Sequence, residues 1–256
     1  MRWRHLVSVG LLTLAMSLPA AEPKKPAPKE LPKVVVALPL SITPGIPTRL
    51  TLRGLRLDTA TEVRCQEPRS KAKLLKKSKV GVPPQQDVNR LGDTQVEAEV
   101  TLPADYPNRT VTISVLTPNG ESTAHALLID RGPIVAEKEP NNGFRQAQAI
   151  PLPQEIQGNI NQAKDVDLFR FEGKSGQQVS LEVFASRYGS ALDPLLTLYD
   201  HQGRILASCD DIDGSSDSRL EMTLPSAGVY YVGVIDANDQ GGPTHIYRLS
   251  VRFKNP

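Results

Sequence analysis

Glu137, Glu139 and Asn141 stand at alternate positions around Pro140, and Asp165 and Asp167 repeat that spacing about one strand pair further on. The residue before a proline is pushed out of the helical region, and alternate residues of an extended chain share a face. The three oxygen-bearing side chains are therefore predicted to point the same way. Hard cations such as calcium take six to eight oxygen ligands, so carboxylates and amide oxygens converging in this way would suit one. In a strand running through 165–171, Asp165 and Asp167 share a face with Phe169 and Phe171, the side that meets a core. A carboxylate at such a rim loses hydration and needs a compensating partner. Calcium, an Arg or Lys side chain, backbone donors or solvent at a frayed strand end would each supply it.

The other candidate residues point to less chemistry. Asp210-Asp211-Ile212-Asp213-Gly214-Ser215-Ser216-Asp217 is acidic enough to hold a cation. It lacks the ligand spacing and terminal Glu of an EF-hand loop, however, and Asp, Gly and Ser are what a hairpin turn prefers. His125, His201 and His245 are scattered, and no HExxH, GxSxG or glycine-rich phosphate loop occurs. The expectation is a chain without a catalytic site. Cys65 and Cys209 lie far apart in sequence and are expected as two small, partly buried thiols. Lysines and Arg69 crowd the stretch 69–79 around Leu74 and Leu75. A polyanion patch is one reading; lysines guarding an edge strand against aggregation is the preferred one.

These side chains must be positioned by strands. The chain has 256 residues, with 22 Pro and 18 Gly spread between short apolar runs rich in Val, Leu, Ile and Thr. Alternation of period two recurs in runs such as TRLTLRGLRL, TQVEAEVTL and RTVTISVL, bounded by Pro, Asn, Asp and Gly. The predicted fold class is all-β, two β-sandwich domains in tandem, the first immunoglobulin-like with six or seven strands and the second jelly-roll-like with about eight. The segments divide as a signal peptide over 1–21, a Pro/Lys-rich linker over 22–33, and sandwiches over 34–133 and 134–256. Arg2, Arg4 and His5 precede an apolar run from Leu6 to Met16 and then small residues near Ala20 and Ala21, the layout of a secretory signal. That run is too short to span a membrane, so the mature chain is expected to be exported to the periplasm, the cell surface or the medium with no transmembrane segment. Formal net charge is +2, yet Ile134–Pro256 carries 11 basic and 16 acidic residues. Aromatic residues make up 5% and the single Trp is at position 3, which leaves little for base stacking, so nucleic acid is not an expected partner.

Two resemblances follow from longer patterns. Pro44, Gly45, Leu50, Leu52, Gly54, Leu55 and Leu57, with Thr117–Ser122 later, loosely resemble bacterial IPT/TIG-type immunoglobulin-like domains. Glu-x-Glu-Pro-Asn-Asn over 137–142, with Phe144, Gly158, Asp165-Val-Asp167, Phe169, Phe171, Asp193, the run 228–234 and Tyr247–Val251, resembles the bacterial pre-peptidase C-terminal (PPC) domain over about 134–253. That resemblance implies a β-sandwich appended to secreted proteases and other exported proteins, with calcium bound in some members and collagen in a few. Carried over by position, it makes Glu137, Glu139, Asn141, Asn142, Asp165 and Asp167 the candidate calcium ligands. Asn142 stands where calcium-binding relatives can have an aspartate, one negative charge fewer. The expected function is an exported, non-catalytic binding protein for an extracellular protein, polysaccharide or matrix polymer, with calcium stiffening the joint between the sandwiches. The alternative is an accessory that aids secretion or stability of a separate exported hydrolase.

Overall fold

The computed structural model describes residues 30–84 and 86–254. The expected signal peptide and most of the expected linker lie outside the described residues.

The first half folds as β1 (Lys33–Leu38), β2 (Ser41–Ile42), β3 (Thr48–Leu55), β4 (Glu62–Cys65), β5 (Lys71–Lys79), a one-turn helix α1 (Val88–Leu91), β6 (Thr94–Thr101), β7 (Thr110–Thr117), β8 (Gly120–Glu121) and β9 (His125–Ile129). They form two sheets, β1-β3-β6-β5 and β2-β9-β7-β4, with β8 added to β7. The period-two pattern explains why: Leu50 and Leu52 on β3, Val96, Ala98 and Val100 on β6, and Val111, Ile113 and Val115 on β7 all face one buried core. The strands in excess of the sequence expectation include β2 and β8, two residues each and too short to show alternation.

The lysine-rich β5 is an edge strand, paired only with β6. A bulge between Leu74 and Lys76 breaks its register, Lys76 faces Glu97 at 3.9 Å, and the Lys77 ammonium donates to the Ala60 carbonyl. Bulges and lysines on an exposed edge discourage pairing with another chain, as expected of this stretch. Cys65 and Cys209 are free thiols.

The second half comprises β10 (Ile134–Ala136), β11 (Gln148–Ala149), β12 (Gln154–Asn159), β13 (Val166–Gly173), β14 (Gln178–Phe184), β15 (Pro194–Tyr199), β16 (Ile205–Cys209), β17 (Arg219–Thr223), β18 (Gly228–Asp236) and β19 (Ile246–Phe253). Two five-stranded sheets, β10-β12-β19-β14-β17 and β11-β13-β18-β15-β16, enclose a core that includes Phe169, Phe171, Leu181, Val232, Tyr247 and Leu249. The chain is thus all-β, with two sandwiches in tandem.

The sandwiches meet at a contact that is apolar in part and ionic in part. Val36, Leu40 and Ile246 are buried together, with Leu38 and Tyr188 against them. Beside them the Arg248 guanidinium, 4% exposed, meets the Asp130 carboxylate at 2.7 Å, and Ser41 donates its hydroxyl to the same carboxylate at 2.8 Å. The Arg90 guanidinium also donates to the Ala191 carbonyl across the junction at 2.7 Å. Gly189 holds a left-handed conformation, φ 81°, against β1, where a Cβ would lie 1.9 Å from the Val35 carbonyl oxygen.

Candidate metal centre

Three segments of the second sandwich converge at the start of β13. The loop after β10 brings Glu137, Glu139, Asn141 and Asn142, β13 brings Asp167 with Asp165 just before it, and β19 brings Tyr247 from the opposite sheet. The strand period sets the direction of Asp167. It shares the inner face of β13 with Phe169 and Phe171 and is fully buried, 0% exposed, while Asp165 at the strand entrance is 3% exposed.

Hydrogen bonds tie most of the carboxylate oxygens. Asp165 accepts from the Asn161 backbone N–H at 2.8 Å, from the Val166 N–H at 3.1 Å and from the Asn142 side-chain amide at 3.1 Å. Glu137 accepts from the Asn159 N–H at 2.8 Å and from the Tyr247 hydroxyl at 3.1 Å. Glu139 accepts from the Asn141 N–H at 3.0 Å and from the Asn161 side chain at 3.1 Å. The Tyr247 hydroxyl also lies 2.7 Å from Asp167 Oδ2. Carboxylate oxygens of Glu139, Asp165 and Asp167 all lie within 4.8 Å of one another.

What remains unpaired marks the centre. Asp167 Oδ1 is buried without a partner, and Asn141, fully buried, has a partner for neither its Oδ1 nor its Nδ2. Orphaned buried polar atoms are rare, and an unrecorded ion is among the explanations they call for. Burial, with the charge of Glu137 next, pushes the Asp167 carboxyl up to about 9. Burial also raises Glu137. Tyr247 is pushed well above its ordinary value, first by burial and then by the two carboxylates. A cation among these oxygens would reverse that logic, because a nearby positive charge favours the ionised acids. The donors are hard oxygens, which suit calcium or magnesium rather than a thiophilic metal.

The structure brings carboxylate oxygens of Glu139, Asp165 and Asp167 together, links Glu137 to Asp167 through Tyr247, and joins Asn141 to Glu139 by its backbone N–H. Asn142 is exposed and reaches the cluster through its amide nitrogen on Asp165. Two further residues, Tyr247 and Gly158, shape the site without having been singled out as part of it. A buried tyrosine needs a partner for its hydroxyl, which is the signal that could have found Tyr247 on the inner face of β19. Gly158 leaves the room: a Cβ there would lie 2.2 Å from Tyr247 Cζ and 2.4 Å from Glu137 Oε2. The hydrogen bonds of these carboxylates run to partners within the second sandwich, whereas the joint between sandwiches is held by Arg248, Asp130, Ser41 and Arg90. The residues expected to hold a cation at the joint thus make their hydrogen bonds inside the second sandwich.

The second acidic stretch divides. Ile212 and Ser215 close a turn on each other around Gly214, whose φ is 77°. Asp217 is fully buried, accepts from the Ala185 and Ser186 N–H groups and pairs with Arg187 at 2.5 Å, a structural cap. Asp210 and Asp211 join Asp193 from β15's approach, with carboxylate oxygens within 4.8 Å of one another but half-buried or exposed.

Comparison with known proteins is consistent with the architecture of the second half. Residues 165–236 match the family model of the bacterial pre-peptidase C-terminal domain. Over 103 residues, 39% of this chain, the sequence is 35% identical to a protein of Deinococcus radiodurans named "probable subtilase-type serine protease", and the match spans 14% of that relative's length. Among solved structures, the pre-peptidase C-terminal domain of a Bacillus anthracis collagenase is 18% identical, with 48% of this chain and 100% of that chain covered at a TM-score of 0.34. The SGBP-B protein of a Bacteroides ovatus mixed-linkage glucan utilization locus, in complex with a mixed-linkage heptasaccharide, is 9% identical, with 77% of this chain and 71% of that chain covered at a TM-score of 0.26.

Proposed function

With residues 165–236 taken as a bacterial pre-peptidase C-terminal domain, we propose that the chain is an exported, non-catalytic interaction protein whose second sandwich is stabilised by calcium. Glu137, Glu139, Asn141, Asn142, Asp165 and Asp167 would hold the ion, with Tyr247 fixing the orientation of Glu137 and Asp167. The observation that carries this is the fully buried Asp167, with an unpaired oxygen beside the carboxylates of Glu139 and Asp165, together with the unpaired buried oxygen of Asn141. Without a cation that arrangement costs desolvation; with one, the same oxygens become ligands. The ion's part is structural: it neutralises the acids and fastens the 137–142 loop to β13. The partner would be an extracellular protein, polysaccharide or matrix polymer. Calorimetric titration of the chelated protein with calcium tests the ion, and capture from the native envelope tests the partner.

A second reading has its own support. The relative from Deinococcus radiodurans bears a protease name, and the shared stretch is a small part of it. On this reading the chain assists the secretion or stability of a separate exported hydrolase. Recovery of a co-secreted hydrolase in the capture experiment favours it, and recovery of a defined polymer favours the first.

A further inference from the structure

A cleft of about 550 Å³ opens where the sandwiches meet, and its walls differ in chemistry. Its aliphatic lining is Leu128 of β9 and Ile134 of β10, one from each sandwich, while Ile129 turns into the core of the first. The floor is the outer face of β19, where Arg248 and Ser250 are buried and Arg252 is exposed at two-residue spacing. Arg248 is spent on Asp130, and Glu155 is held by the Ser250 hydroxyl at 2.6 Å. Arg109, from the first sandwich, and Arg252, from the second, both line the cleft and are exposed. Among the described residues neither guanidinium meets a carboxylate within ion-pair distance. Elsewhere in the chain Arg56, Arg64 and Arg204 are ion-paired, with Glu30, with Glu62 and Glu121, and with Asp200, whereas the exposed Arg49, Arg145 and Arg170 are not among the ion pairs of the described residues.

Two guanidinium forks, Arg109 from the first sandwich and Arg252 on the floor near Glu155, favour anions, and carboxylates suit their planar, bidentate geometry. The aliphatic wall then decides what carries those carboxylates. A sugar polymer stacks on open aromatic faces, yet one face of Phe184 is covered by Arg187 at 4.9 Å, and Tyr188 meets the same ring edge-on at an interplanar angle of 62°. Leu, Ile and Val side chains of a peptide, by contrast, bury well against Leu128 and Ile134. Cleft volume, mixed lining and position between two domains fit a ligand site. We propose that this interdomain cleft docks an acidic, partly apolar peptide segment of a partner protein, its carboxylates held by Arg109 and Arg252 and its apolar side chains by the aliphatic wall.

The test is fluorescence anisotropy on the full chain with a fluorescein-labelled hexapeptide of alternating Glu and Leu. A Lys and Leu peptide, a Glu and Ser peptide and sodium polygalacturonate serve as competitors. The Glu and Leu peptide should bind, weaken as salt rises, and outcompete the other three. The double substitution Arg109→Ala with Arg252→Ala should weaken it at least ~tenfold while leaving the melting temperature unchanged, since both side chains are exposed. Arg49→Ala, an exposed arginine on β3 away from the cleft, should leave affinity as it was. Titrations in calcium and in chelator should agree, which separates the fate of this site from that of the calcium reading. Absence of peptide binding, affinity unchanged in the double variant, or a polygalacturonate that binds more tightly with the same arginine dependence would overturn the proposal.

Discussion

Replacing Asp167 by Asn should stabilise the protein in chelator and abolish its response to calcium. In the cation-free state burial holds the Asp167 carboxyl protonated up to about pH 9, whereas an aspartate of the unfolded chain ionises near 3.8. A group with a raised folded pKa contributes its full stability below the unfolded value and loses it as pH rises towards the folded one. At pH 7 the chain must take up a proton to fold, which costs about 4 kcal/mol. Asn needs no proton and keeps an oxygen to accept from the Tyr247 hydroxyl, which lies 2.7 Å from Asp167 Oδ2 in the native chain. Asp167→Asn is therefore expected to unfold at higher urea than wild type in EDTA at pH 7, by up to about 4 kcal/mol, and to match it near pH 4. In calcium the order reverses, because the variant has lost a charged ligand. Urea unfolding at pH 4, 7 and 9, with and without calcium, reads all of this. A variant weaker than wild type in EDTA at pH 7, or a difference that does not change with pH, would refute the reasoning.

Gly158→Ala should destabilise the second sandwich by about 2 kcal/mol or more and erase the calcium response, since its Cβ would collide with Tyr247 and Glu137; thermal melts with and without calcium check it. Arg248→Ala leaves the Asp130 carboxylate, 9% exposed, without its partner and should cost about 3–5 kcal/mol, with scattering profiles that broaden as the sandwiches come apart. Burial lowers His125 to about 4, with its imidazole against Gly189 across the joint. Because that folded value lies below the unfolded one of 6.5, the unfolded chain binds the extra proton, so stability is full above pH 6.5 and falls as pH drops towards 4. His125→Gln should flatten that part of the pH–stability curve measured in calcium.

Strand alternation carried much of this structure in plain view. Asp165, Asp167, Phe169 and Phe171 read as one face from their spacing alone, and the lysines around Leu74 read as an edge because edges need guarding. What spacing cannot show is which distant strand comes to lie opposite. Tyr247 reaches Asp167 only because β19 packs across the sandwich from β13, and Asp130 meets Arg248 across 118 residues of chain. Local composition misled at Asp217, where an acidic run typical of a turn ends in a carboxylate buried beneath Arg187. Gly158 was legible only as part of a longer pattern, and the space it leaves beside Tyr247 and Glu137 shows only in the fold.

The most direct test of the proposed calcium site is calorimetric titration of the chelated full chain, paired with melting in calcium and in EDTA. The proposal predicts saturable heat and a melting temperature that rises with calcium, by the equivalent of about 2.7 kcal/mol at a hundredfold excess over Kd. The heat should vanish in Asp167→Asn. No heat and superimposable melting curves would contradict the account and leave Glu137, Glu139, Asn141, Asp165 and Asp167 as a hydrogen-bonded cluster without an ion.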